Sequence, residues 1–162
     1  MLSYQYQLPY RQSLHSQALE TENQMSSWDT IDYGPDPFVL NVRQETLMND
    51  TFRTTRWTGD HMQLTMMSIM PGQDIGQEIH PELDQFVRIE DGQGLVQMGT
   101  DPNNLDFQKT VFEGDAFFIP ANTWHNLLNT GSQPLKIYSL YAPAAHPRGT
   151  VDWVRDETES AM

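Results

Sequence analysis

The chain has 162 residues, 38% of them hydrophobic, which suits one modest core and makes a second catalytic domain unexpected. With 22 Asp and Glu against 9 Lys and Arg, the formal charge of −13 repels a phosphate backbone, so nucleic-acid binding is disfavoured. Cysteine is absent, which excludes disulfides, thiolate catalysis and Cys-based zinc or iron–sulfur sites, and any metal must sit on His, carboxylate or amide ligands.

The first residues carry no charged segment followed by an apolar one, and no stretch approaches the roughly 18 apolar residues of a membrane span. A cytoplasmic protein without membrane attachment is the expectation. Residues 1–37 differ in texture from the rest, with Gln5, Gln7, Gln12, Gln17 and Gln24 set among Ser, Tyr and Thr, and Asp36 between Pro35 and Pro37. They read as an N-terminal arm. Its apolar residues, Tyr4, Tyr6, Leu8, Tyr10, Leu14, Leu19 and Trp28, suit docking on a partner subunit, while the composition favours a partly disordered tail.

Residues 38–146 form the expected domain, followed by a C-terminal tail over 147–162. Only 43–49 looks helical. Short runs rich in β-branched, aromatic and Met residues predict strands at 51–57, 62–70, 75–80, 85–90, 94–98, 107–112, 116–119, 124–128 and 135–141. Between several of them lie turn formers such as Pro71-Gly72, Asp91-Gly92, Glu113-Gly114-Asp115 and Thr130-Gly131-Ser132. Many short strands with tight turns must close or stack to hide their edges, which makes an all-β barrel or sandwich.

Chemistry concentrates around one predicted strand. Side chains alternate with period two, so Glu78 and His80 project from one face and Ile79 from the other. After the turn-prone Pro81-Glu82-Leu83-Asp84, Gln85 opens the next strand and points back at the same space. His125 is the single imidazole of the later pair at 115–120 and 124–129. Four such donors suit one hard or borderline divalent ion.

Gly72, five residues, Glu78, one residue, His80, four residues, Gln85, six residues and Gly92 resembles the first motif of the cupin superfamily. Gly114, five residues, Pro120, four residues, His125, three residues and Asn129 resembles the second. The chain departs from the pattern in two places. Glu78, His80 and Gln85 stand where His, His and Glu are usual, and Asn122 stands where a Gly is usual, Asn being the residue that best tolerates a left-handed backbone after Gly. The likeness spans residues 72–129 and extends with its flanking strands over about 52–143. It is closer still to small bacterial single-domain cupins, through Ile75-Gly76, Asp84-Gln85-Phe86, His146-Pro147 and Gly149-Thr150.

The resemblance implies a double-stranded β-helix, jelly-roll-like barrel with Glu78, His80, Gln85 and His125 as ligands of one divalent ion: manganese, iron, nickel, cobalt or zinc. The usual three His and one Glu bring one negative charge, and so does this set. The amide oxygen of Gln85 is the weaker donor. A small-molecule ligand or substrate and a homodimer are the partners implied. A metal-dependent isomerase, lyase or dioxygenase fits, and the alternative is a non-catalytic ligand-binding or assembly protein attached through its arm. In a metal-free pocket Glu78 and His80 would pair by hydrogen bonding.

Other residues read as structural. His61, after Gly59-Asp60, has no ligand-spaced neighbour and suits a turn. His146 reads as part of a surface tail, ahead of a group folded over the barrel mouth. Met62, Met66, Met67 and Met70 look like an apolar wall. Arg88 and Lys136 are rare cations in an acidic chain, and Arg88 should face out of the barrel to serve a salt bridge or a subunit contact.

Overall fold

The computed structural model describes residues 30–156, and the arm residues 1–29 lie outside the described part. In chain order come α1 (Val42–Met48), β1 (Arg53–Thr58), β2 (Gln63–Ile69), β3 (Asp84–Asp91) and β4 (Gln93–Gly99). They are followed by β5 (Phe107–Phe112), β6 (Ala116–Ile119), β7 (Trp124–Asn129), β8 (Leu135–Ala142) and β9 (Val151–Asp152). The strands form two antiparallel sheets, a six-stranded one in the order β6-β3-β8-β2-β1-β9 and a three-stranded one in the order β5-β4-β7. Among the described residues no helix is long and apolar enough to cross a membrane.

The two sheets face each other because alternation puts their apolar residues on one side. Along β4 and β7 buried positions alternate strictly with half-buried ones. Met67, Ile69, Val87, Ile89, Val96, Leu127, Leu135 and Ile137 fill the space between them. Each such side chain contributes about 1.5–3 kcal/mol on leaving water.

Strand β2 breaks the alternation, being buried along its whole length, since α1 packs outside it and against β3 and β8. The helix is too short to stand alone. Asn41 Oδ1 caps it by accepting from Gln44 N (3.1 Å), and cations tie it to the sheet. Arg43 reaches Glu90 (2.8 Å) and Glu113 (2.6 Å), Arg56 pairs with Glu45, and Lys136 Nζ donates to the Asn49 carbonyl (2.5 Å) and Asp50 (2.9 Å). Arg88 leans outward onto Glu90 at 2.9 Å, as parity requires.

At one end of the interior the apolar lining gives way to polar side chains that are nonetheless buried: Gln63, Thr65, Gln85, Ser139 and Tyr141. Register sets them side by side, with Gln63 and Gln85 both opposite Tyr141 and Thr65 opposite Ser139. Buried polar groups require partners. This end is therefore where a ligand would be accommodated.

Four expectations change. Residues 75–80 are not a continuous strand, because Gly76 takes φ 86° and interrupts the pairing with β7, leaving single bridges at Asp74–Leu128 and Glu78–His125. Residues 147–156 are not a loose tail. They supply β9, pairing Arg53 with Asp152 and Thr54 with Val151, and Arg155 closes onto Asp74 at 2.6 Å. Of the methionines, Met66 and Met67 are buried, whereas Met62 and Met70 are half exposed. Residues 30–37, expected in the arm, pack on β1: Tyr33 N donates to the Arg56 carbonyl, and the Tyr33 ring stacks on Phe38.

Candidate metal centre

Glu78 reaches the interior on the segment after Gly76, where its N–H and C=O exchange hydrogen bonds with His125 at 3.0 and 2.9 Å. His80 follows two residues later, and its carbonyl accepts from Asn122 N at 2.8 Å. Asn122 holds φ 62° in the turn before β7, the left-handed conformation expected for it. Asp84 Oδ1 accepts from Ala121 N, so the turn is held from both sides of the site.

Glu78, His80 and His125 each bring one ligand atom into a group spanning no more than 4.8 Å. Glu78 Oε1 stands 3.3 Å from Nε2 of His80 and 3.3 Å from Nε2 of His125. Neither nitrogen is aligned to hydrogen-bond with it, and both are buried without a partner. Glu78 and His80, expected to pair in a metal-free pocket, are neighbours at 3.3 Å.

The chemistry of His125 is settled on its other side. Nδ1 lies 2.9 Å from the Thr123 carbonyl, which can only accept, so Nδ1 carries a proton and Nε2 is the ring atom turned toward Glu78. Burial pushes the Glu78 carboxyl up, but the two imidazoles beside it outweigh that and hold it below the usual carboxylate range. It is an anion there.

Gln85, the fourth expected ligand, is buried on the inner face of β3. Its amide nitrogen donates to the Ser139 hydroxyl at 3.4 Å, and Oε1 is left buried without a partner. Tyr141, opposite Gln85 in register, sets its ring edge-on to His80 with centroids 5.7 Å apart. Burial raises the Tyr141 hydroxyl further above its usual range, so it is a neutral donor. His61 lies exposed in the β1–β2 turn, away from this group.

The sequence reading put His146 in a surface tail, ahead of a place over the barrel mouth, and passed over Arg53. His146 is not on the surface: its ring packs edge-on against Tyr141 at 5.2 Å, with Nε2 buried. Gln63 holds it there, its Oε1 accepting from Ala145 N and His146 N and its Nε2 donating to the His146 carbonyl at 2.8 Å. The signal available was a glutamine at an inward position of β2. Arg53 is the second, a buried arginine on the inward face of β1, and its parity with Thr55 was the corresponding signal.

A cupin domain family matches residues 65–141. YrkC of Bacillus subtilis is 53% identical over 130 residues, covering 80% of this chain and 70% of that protein. Protein L612 of Acanthamoeba polyphaga mimivirus is 42% identical over 122 residues, 75% of this chain and 74% of its own. The crystal structure of BH2720 from Bacillus halodurans superposes with a TM-score of 0.75 at 59% identity, covering 76% of this chain and 93% of that one. Two facing antiparallel sheets, an inward acid and two imidazoles at one end, and these relatives agree on one conclusion: the chain belongs to the cupin family.

Proposed function

We propose that this cupin binds one divalent metal ion through Glu78, His80, Gln85 and His125 and presents it to a small molecule in the polar end of the barrel. The observation that carries this reading is a set of unpartnered buried atoms, two of them imidazole nitrogens beside the Glu78 carboxylate. His80 Nε2, His125 Nε2 and Gln85 Oε1 all lack hydrogen-bond partners, and the first two flank a carboxylate oxygen at 3.3 Å. Leaving a buried polar atom unsatisfied costs about 1–3 kcal/mol, so three together call for a common partner. One cation would satisfy all three.

Two imidazoles, one carboxylate and one amide suit manganese, iron, cobalt, nickel or zinc. When bound, such an ion supplies Lewis acidity toward a carbonyl, enediol or water oxygen, which fits an isomerase, lyase or dioxygenase. The chain's own groups do the rest. Thr123 fixes the His125 tautomer, Tyr141 offers a neutral hydroxyl, and Gln63 holds the His146 segment against the ring of Tyr141. A non-catalytic ligand-binding role uses the same site, and turnover that disappears with chelator and returns with one metal separates the two. Gln85→Glu, which adds a second carboxylate, should tighten metal binding. Equal affinity in that variant would remove Gln85 from the ligand set.

A homodimer is part of this reading. On the outer face of the six-stranded sheet Phe118 is 71% exposed, and its ring meets that of Phe86 at 5.1 Å beside a cavity of about 320 Å³. Light scattering should give twice the chain mass, and Phe118→Glu should reduce it to one.

A further inference from the structure

The metal reading accounts for three of the buried atoms without partners, but the same end of the molecule holds three more: Arg53 Nε, Thr65 Oγ1 and His146 Nε2. Arg53 stands out. It is 6% exposed, and alternation puts it on the same face of β1 as Thr55, which is registered opposite Thr65. A buried guanidinium needs a counter-charge, and the one it has is partial. Nη1 is engaged by Asp152 at 3.0 Å, but that carboxylate is 39% exposed and lies on the two-residue edge strand β9.

The Nε edge is left without a partner although the planar fork is built to bind two oxygens side by side. Its charge acts on both Tyr141 and His146, the two rings that also sense Glu78. Arg53 further lines a cavity of about 500 Å³ with Phe52, Asp152, Trp153 and Arg155, which opens beside the guanidinium.

We propose that Arg53, through its unpartnered Nε, binds the carboxylate group of the small molecule that this barrel accepts. The inference rests on the metal reading in one respect: the other end of the ligand would be what is offered to the ion. Charge favours a monoanion. A divalent ion with Glu78, together with Arg53 and Asp152, sums to one positive charge, which a single carboxylate neutralises. A carboxylate also matches the donor edge that Arg53 leaves unpaired.

The test is titration of the full-length protein, metal-loaded and metal-free, with pyruvate, acetate, inorganic phosphate and the uncharged pyruvamide, followed by calorimetry, with metal content measured on every sample. Pyruvate should bind at least about tenfold more tightly than pyruvamide, and Arg53→Gln should weaken it by at least about tenfold while leaving metal content unchanged. Asp152→Asn removes the competing carboxylate without removing the cation, so it should tighten pyruvate binding. A merely structural Arg53–Asp152 pair predicts no such gain, and this variant also guards against an Arg53→Gln protein that fails to fold.

Equal affinity for pyruvate and pyruvamide, absence of binding by either carboxylate, a preference for phosphate, or no response to Arg53→Gln and Asp152→Asn would each overturn the proposal while leaving the metal reading intact. Carboxylate binding that depends on Arg53 in a protein holding no metal would support it and overturn the metal reading instead.

Discussion

Gln63→Leu is the substitution that reads most directly on how the barrel end is built. Gln63 is fully buried, and its amide makes four hydrogen bonds, to Ala145 N, His146 N, the His146 carbonyl and Thr58 Oγ1. Leucine preserves most of the volume and the apolar burial while removing all four. Thr58 keeps Asp32 as a partner, so the loss falls on the backbone of 145–146. A buried backbone group stranded in this way costs about 1–3 kcal/mol, and since the segment is half-buried and water can recover part of it, the net loss should be about 2–4 kcal/mol. For a domain of this size that lowers the melting temperature by roughly 10 °C. Thermal unfolding gives the first readout and amide exchange at Ala145 and His146 the second, since the released segment should exchange faster. A melting point within about 2 °C of the wild type, with exchange unchanged, would show that Gln63 does not hold this segment.

Three further outcomes follow from individual residues. Burial raises the Asp32 carboxyl, but hydrogen bonds from Thr58, Gly34, Thr55 and Gly149 outweigh it and hold it below its usual value. Its contribution to stability is therefore complete above the ordinary carboxylate range and is lost as pH falls through the depressed value, so urea midpoints of wild type and Asp32→Asn should converge in acid. Burial first, and then the charge of Arg53, push His146 down to about 4 against the opposing pull of Glu78, with His80 adding to the depression and Asp152 opposing it. The unfolded chain takes that proton first, so stability declines as pH drops from about 6.5 toward about 4, and the ring resonances of His146 should stay flat from about pH 8 to about pH 5. At Asn122, with φ 62°, replacement by Gly should be nearly neutral in thermal unfolding, whereas Val should destabilise by about 1–2 kcal/mol.

Much of this was legible before the structure, for physical reasons that differ by residue. The strands β5 and β6 fall where their β-branched and aromatic residues and the turn residues at 113–115 put them, because a tight turn between two short runs leaves few other solutions. Glu78 and His80 converge as parity demands, and His125 joins them because register brings β7 alongside the 72–80 segment. The expected strand at 75–80 failed at Gly76, whose positive φ breaks a pairing that the apolar pattern alone cannot see broken. His146 and Arg53 were hidden for another reason. Both are fixed by contacts across more than 80 residues of chain, His146 with Gln63 and Arg53 with Asp152. No local pattern encodes such pairings. What the chain does show is an inward polar side chain on an otherwise apolar face, a glutamine in one case and an arginine in the other.

The central claim is that one divalent ion is held between Glu78, His80, Gln85 and His125, and the most direct test is elemental analysis of purified wild-type and Glu78→Ala protein after equilibration with the same metals. Glu78 is the only carboxylate of the set, and its oxygen sits between the two imidazole nitrogens at 3.3 Å from each. Removing it leaves a divalent charge buried on neutral ligands, which is strongly unfavourable. The account predicts close to one equivalent of a divalent transition metal in the wild type and little or none in Glu78→Ala. Wild-type protein without metal, or a Glu78→Ala variant that retains the wild-type amount, would contradict it.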